Sequence, residues 1–359
     1  MKITVTRITK ISVRSTATEQ RGSGFDARPN PDHALFSPIL ARVSDRVLES
    51  VPCNVCGSLE SHILQPAQYD LTKFHQRDLA RTFSSSSDER LKHQLVACAT
   101  CGLQYVNPRL SADAVLQGYA QGSDEQFVSQ ARGREITFGK CMDVIERIWN
   151  RAPGRLLDIG TGGGSFPFVA SRRGWKAEGC EPNRWLCEWA LKTYGLPIRP
   201  GTVFEQDYVA ASYDVVTLWD VLEHTPDPKT EIRETHRLLK ENGLLVINYP
   251  DIGSWIARAM GRSWVFLLDV HLYYFTRSTI RRLLEDAGFD IVRIRPHYQR
   301  LALGYVLQRA TPYVGAPARL AARAFHTLGM ADWQVPYWMG QTLVIARKRP
   351  IDQLTPRNC

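Results

Sequence analysis

The sequence predicts an α/β fold: a mostly parallel sheet covered by helices on both faces, preceded by a small four-cysteine metal module. Three observations carry this expectation. From residue 155 onward, short apolar runs alternate with helix-period segments. One run, Leu156-Leu157-Asp158-Ile159, breaks directly into the turn Gly160-Thr161-Gly162-Gly163-Gly164. Upstream lie two pairs, Cys53-x2-Cys56 and Cys98-x2-Cys101, separated by 41 residues and each followed at once by glycine, Gly57 and Gly102.

At 359 residues, with 44% hydrophobic and 23% charged residues, the chain suits one large α/β domain plus something smaller. No window approaches the ~18 consecutive apolar residues of a membrane span. Met1 to Thr16 lacks the apolar core of a signal peptide, so a cytoplasmic protein is expected. The net charge of +9 is uneven: residues 290–359 carry ten Arg/Lys against three Asp. That bias suits an anionic substrate, a membrane surface or a plain solvated basic face. No nucleic-acid motif accompanies it, and no nucleic-acid partner is expected.

In chain order, residues 1–45 are Ser/Thr/Arg/Pro-rich without a period and read as a disordered tail. Residues 46–125 form the cysteine module, with Ser84 to Ser87 as a loop in its insert. Two CxxC pairs in an intracellular protein favour a closed, structural Zn²⁺ site on Cys53, Cys56, Cys98 and Cys101 over disulfides. A redox CxxC would need one pair and a thioredoxin-like context; a site recruiting His93 is the other alternative. Leu103 to Val106 reads as a short strand closed by Asn107-Pro108.

Residues 126–350 make the main domain, and 351–359 a C-terminal tail. Its first helix is expected within 126–150, from Ile136, Cys141, Ile145 and Ile148. Strands are expected at 155–159, 176–181, 213–219, 243–249, 289–295 and 341–347, with a short one near 197–200. Helices are expected at 165–174, 182–194, 228–240 and 277–287; Asn242-Gly243 and Ala287-Gly288 are stop signals. Two further segments, 251–275 (aromatic-rich) and 300–338 (Ala/Arg-rich, with Trp333 and Trp338), read as cap or insert. The second could also rest on a membrane surface.

An open α/β sheet binds ligand beyond the carboxyl ends of its strands, which singles out particular residues. Asp158, Gly160, Gly162 and Gly164 form the turn where backbone can approach a ligand closely. A dinucleotide fingerprint would want Gly or Ala where Ser165 stands. Glu181-Pro182 closes the second strand, 23 residues past Asp158, where a carboxylate would chelate both ribose hydroxyls; its alternative role is a helix N-terminal acid. Thr202 and Val203 follow the third strand at the same rim, with Asp207 a further candidate. The fourth strand runs into Trp219, Asp220, Glu223 and His224.

The Asp158-x-Gly160-x-Gly162-x-Gly164 pattern resembles motif I of class I S-adenosylmethionine (SAM)-dependent methyltransferases. The fourth-strand run through Pro226-Asp227-Pro228 and the segment Leu239 to Ile247 resemble the same family. The resemblance implies a Rossmann-like seven-stranded sheet with its last strand antiparallel. It implies SAM bound by Asp158, Gly160, Gly162, Gly164, Glu181, Pro182, Thr202, Val203, Trp219 and Asp220. It also implies a small-molecule methyl acceptor, a hydroxyl or carbon of a sugar, glycan or lipid-linked precursor, since the combination resembles bacterial methyltransferases that modify sugars or other small metabolites and carry a zinc module ahead of the catalytic domain. Methyl transfer to a hydroxyl needs a base, and histidine suits neutral pH. The candidates are His224 and His271, the latter in a His-Leu-x-x-Phe-Thr element similar to one in many small-molecule members. Asp220, Glu223 and His224 also resemble the Glu-x-x-Glu-His metal group of ubiquinone-pathway O-methyltransferases, with aspartate replacing the first glutamate. A nicotinamide-dependent oxidoreductase on the same sheet, and a non-catalytic SAM-binding or zinc interaction module, are the rival functions.

Overall fold

The computed structural model describes residues 48–68, 89–120 and 123–350. The tail at 1–45, the loop at Ser84 to Ser87 and the tail at 351–359 lie outside the described residues.

Seven strands form the central sheet: β1 (Arg155–Ile159), β2 (Lys176–Glu181), β3 (Arg199–Pro200), β4 (Tyr213–Trp219), β5 (Leu239–Pro250), β6 (Phe289–Pro296) and β7 (Gln341–Lys348). Their spatial order is β6-β7-β5-β4-β1-β2-β3. The pairs from β5 through β3 are parallel. β7 runs antiparallel to both neighbours, inserted between β5 and β6. This is the class I methyltransferase sheet with its reversed final strand.

Its strands are near-continuous apolar runs because both faces are covered. Leu156, Leu157, Val215, Val216, Leu218, Leu244, Leu245, Val246, Val344 and Ile345 are all buried. The covering helices include α1 (Ala131–Trp149), α2 (Ser165–Arg172), α3 (Arg184–Tyr194), α4 (Pro228–Leu238) and α5 (Arg277–Asp286). All but α1 start where the sequence offers a cap or a glycine. Asn183 and Asp227 accept from the amides of Leu186 and Thr230, and Gly164 lets α2 leave the turn in a left-handed conformation.

Two expected boundaries move. The fifth strand begins at Leu239 rather than 243, because Leu239 already pairs with Tyr213 before a register shift resumes at Leu244. The first helix starts at Ala131; ahead of it sits a separate short helix, Glu125–Val128, capped by Asp124.

The cysteine module builds a four-stranded sheet from Ser61–Gln65, Leu95–Cys98, Gln104–Val106 and, from far along the chain, Tyr273–Tyr274. The aromatic 251–275 segment thus completes the module's own sheet. Tyr105 and Tyr273 pair across it and are fully buried, in one apolar cluster with Leu218, Leu245 and Tyr249. Residues 299–338 form a strand pair, Gln299–Ala302 with Gln334–Tyr337, around two helices, Leu303–Val314 and Ala316–Thr327. Val314, Leu320, Leu328 and Trp333 on this unit are exposed. Among the described residues no helix is long and apolar enough to cross a membrane.

Candidate active site

The glycine turn sits at the carboxyl end of β1, with Gly160, Gly162 and Gly164 all at positive φ (64°, 55° and 78°). Side chains are excluded there for steric reasons as well. A Cβ on Gly160 would meet Val221 at 2.8 Å, and one on Gly162 would meet the Phe127 ring at 2.8 Å. Phe127 belongs to the short helix Glu125–Val128, which lies over the turn, and the Arg134 guanidinium stacks 3.5 Å above its ring.

Two carboxylates flank the turn from neighbouring strands. Asp158 is buried; its Oδ1 accepts from Thr217 Oγ1 at 2.5 Å, and its Oδ2 has no hydrogen-bond partner. Glu181 Oε2 accepts from the Gly162 amide at 2.8 Å, and Oε1 from the Asn183 amide at 2.9 Å. Glu181 therefore holds the turn as well as facing it, and each oxygen keeps a lone pair. Burial pushes both acids up to about 7, against the hydrogen bonds they accept.

Asp220, just past β4, adopts φ 52°, a left-handed conformation uncommon outside glycine. A reciprocal pair with Asn248 fixes it: its amide donates to Asn248 Oδ1 at 2.9 Å, and its Oδ1 accepts from Nδ2 at 2.6 Å. Surrounding protein raises Asp220 to about 6, while Asn248 and Arg134 pull it back. The Trp219 indole turns away into the core, against Phe138 and Phe166. Val203 is buried, and Thr202 is tied to Glu205 in a capping box. Pro182 links Glu181 to the α3 cap and is half-buried.

Beyond Asp220 a second cluster forms. One ligand atom each of Glu223, His224 and His271 lie within 4.8 Å of one another, and the two imidazoles meet edge-on with centroids 4.7 Å apart. His271 Nδ1 donates to the Phe266 carbonyl at 2.9 Å. His224 Nδ1 lies 3.1 Å from the Val270 carbonyl and 2.6 Å from Tyr119 Oη. A carbonyl can only accept, so the His271 ring carries its proton on Nδ1 and turns a lone pair out at Nε2, whereas His224 Nδ1 is shared between a carbonyl and the Tyr119 hydroxyl. Burial lowers His224 to about 4 and His271 well below the usual imidazole range, His224 adding to the latter. Both carboxylate oxygens of Glu223 are buried without partners, and burial raises this acid well above the carboxylate range. Asp220, expected beside Glu223 and His224 in a metal group, is instead engaged by Asn248; His271 takes that place.

Several of these residues escaped the sequence. Thr217 and Asn248 are polar interruptions in apolar strands, a signal that was present and unused. Phe127, Arg134 and Tyr119 come from segments with no motif and reach the site only through tertiary packing.

In the module, Cys53 and Cys101 sulfurs are 3.4 Å apart and those of Cys56 and Cys98 3.5 Å. All four lie within 4.8 Å of one another, bracketing the roughly 3.8 Å edge of a tetrahedron with ~2.3 Å metal–sulfur bonds. Gly57 and Gly102, at φ 77° and 74°, close the two knuckles, their amides donating to the Cys53 and Cys98 carbonyls.

Sheet order, with its reversed last strand, and the glycine turn at the carboxyl rim define an α/β fold of the methyltransferase class. Comparison with known proteins agrees. The family described as a methyltransferase domain matches residues 133–294. A ubiquinone biosynthesis O-methyltransferase of Cupriavidus pinatubonensis is 26% identical over 46% of this chain and 73% of its own length. One of Chromobacterium violaceum is 31% identical over 42% of this chain and 70% of its own. A solved SAM-dependent methyltransferase of Archaeoglobus fulgidus aligns over 63% of this chain and all of its own, at 17% identity and TM-score 0.44. The chain belongs to the class I SAM-dependent methyltransferases, and it is an enzyme of that class.

Proposed function

We propose that the chain methylates a hydroxyl of a small-molecule acceptor, with Asp158, Glu181 and the glycine turn holding SAM and the Glu223–His224–His271 cluster receiving the acceptor's proton. The observation that carries this reading is the pair of buried imidazoles meeting edge-on beside a carboxyl group that is otherwise unbonded, His271 anchored through Nδ1 to the Phe266 carbonyl and His224 through Nδ1 to Val270 and Tyr119. That arrangement leaves the Nε2 atoms for the acceptor, and we assign His224 the Nδ1–H tautomer. The O-methyltransferase names of the relatives support the hydroxyl. A sugar, glycan or lipid-linked precursor remains our proposal for the acceptor.

The residues present fit the cofactor. The three glycines at positive φ leave the backbone of the turn bare of side chains, Asp158 Oδ2 lacks a partner, and Glu181 has lone pairs free for ribose hydroxyls. Asp124, Asp158, Glu181 and Glu223 are all buried, and Arg134 faces Asp124 and Asp220. An excess of carboxylates at low dielectric favours a cationic ligand. When bound, SAM supplies an electrophilic methyl group on a positively charged sulfur. Asp158 and Glu181 would hold it, Asn248 keeps Asp220 in place at the same rim, and His224 Nε2 would take the hydroxyl proton. Glu223 would be favoured as the carboxylate by a cationic sulfonium beside it, its proton passing to solvent as the cofactor binds, and that carboxylate would then offset the charge of the imidazolium. Val203 and Thr202 would border the adenine; Pro182 and Trp219 would shape the pocket from beneath.

The four thiolates fit a structural Zn²⁺, and we propose the module at 46–125 as a zinc-held unit ahead of a catalytic domain at 126–350. The exposed apolar face of residues 300–338 supports a cap or a peripheral membrane contact. A second reading of the histidine cluster has its own support: two neutral Nε2 atoms and a free carboxylate could hold a divalent cation that binds the acceptor hydroxyl. Mass spectrometry of a cell extract incubated with purified enzyme and methyl-labelled SAM tests the function. A labelled metabolite supports it; tight S-adenosylhomocysteine binding without any labelled product would favour the non-catalytic rival.

A further inference from the structure

Between α1 and the carboxyl end of β6 lies a cavity of about 290 Å³, walled among others by Lys140, Cys141, Arg295, His297, Tyr298 and Arg300. Three of these side chains are cations, they come from opposite walls, and no carboxylate lines the space. Among the described residues neither arginine forms an ion pair. Arg295 Nε reaches the Pro296 carbonyl at 3.4 Å, and Arg300 Nη1 the Gln334 carbonyl at 3.0 Å. The nearby acid on α1, Asp143, is taken by Arg173 at 2.7 Å. His297, only 3% exposed, adds a buried polar group. Gathering guanidinium groups without counter-charge is unfavourable unless an anion joins them, and their planar forks match phosphate oxygens.

Two contacts relate the cavity to the candidate active site, one through the core and one at the rim. The His297 ring lies 5.7 Å from that of Trp219, the last residue of β4. Gln299, two residues on, donates to Asp220 at 3.4 Å. We propose that this cavity is an anion subsite that seats a phosphoryl group of the methyl acceptor. The proposal rests on the reading of this rim as the transfer site. It also gives a use to the basic bias of residues 290–359, which supply two of the three cations.

Calorimetric titration with pyrophosphate tests the site, on the wild-type protein, on Arg295→Gln/Arg300→Gln and on Lys140→Gln, with S-adenosylhomocysteine titrated into each. Lys140 is exposed, so its replacement keeps the fold even if the arginine pair proves structural. We expect saturable pyrophosphate binding that weakens by roughly tenfold or more in the arginine variant and measurably in Lys140→Gln, with cofactor-product affinity unchanged. In extract labelling, pyrophosphate should compete with the acceptor, and phosphatase treatment of the extract should remove the labelled product. Equal pyrophosphate affinity in all three proteins would overturn the site. Binding without competition, with an acceptor that survives phosphatase, would mark a free-phosphate site and overturn the acceptor role. Failure of the wild type to bind S-adenosylhomocysteine would strike the transferase rim instead, a result the pyrophosphate titration does not depend on.

Discussion

Asn54, between the two cysteines of the first knuckle, grips Asp227, the residue that caps helix α4. Its Nδ2 donates to Asp227 Oδ1 at 2.8 Å while its Oδ1 accepts from the Lys229 amide at 2.8 Å. Arg109 makes a second rivet, donating to the Pro226 carbonyl and to Tyr273 Oη, each at 2.7 Å. Both contacts land directly after the Asp220–His224 run. The cysteine module thereby braces the loop that carries the proposed base.

Replacing Cys98 with serine should release the metal, leaving less than one zinc per chain by elemental analysis, and lower the thermal midpoint. Asn54→Ala should keep the metal and cost about 1–2 kcal/mol of stability, the loss of two hydrogen bonds at a helix start. Full zinc content in Cys98→Ser would contradict the four-thiolate site.

Glu181→Ala and Asp158→Ala should each weaken S-adenosylhomocysteine binding by about tenfold to a hundredfold in calorimetry, with far-UV circular dichroism unchanged. Wild-type affinity in either variant would remove that residue from the pocket.

The raised carboxylates set a pH dependence with a definite sign. Asp158 and Glu181 titrate at about 7 in the folded protein, above their unfolded values near 4. The fold therefore holds protons that the unfolded chain releases between about pH 4 and 7, and cofactor-free stability falls as pH rises through that window. A cationic ligand prefers the ionised carboxylates. The preference for SAM over its uncharged-sulfur product should accordingly grow from pH 5.5 to 8. A pH-independent ratio would show that these acids do not sense the sulfonium.

Substituting His224 or His271 with alanine should separate base from scaffold. The base variant should lose about 10²- to 10⁴-fold in turnover with cofactor affinity retained. Because burial holds His224 at about 4, the acid limb of the wild-type rate profile should fall near pH 6–7, where the carboxylates titrate. Unchanged turnover in both variants would take histidine out of the mechanism.

The sheet was legible because its strands are buried on both faces, and such strands announce themselves as apolar runs. The rim was legible where a run ends in a polar residue, as at Asp158, Glu181 and Asp220. The cover over the glycine turn was not. Phe127 and Arg134 sit in a stretch whose helical period says nothing about where it docks, and only three-dimensional packing brings them to Gly162. The strand at Tyr273 and Tyr274 was not legible for a related reason. Aromatic residues in a long connection look like a cap, whereas pairing with Gln104 and Tyr105 depends on a partner strand about 170 residues earlier.

That pairing makes the two halves of the molecule inseparable. A chain shortened to begin at residue 126 would leave the Tyr273–Tyr274 backbone edge bare and the Tyr273 ring without its mate. Exposed edges of this kind recruit other chains. Such a fragment should clump, and His271, two positions upstream, would lose the frame that aims it.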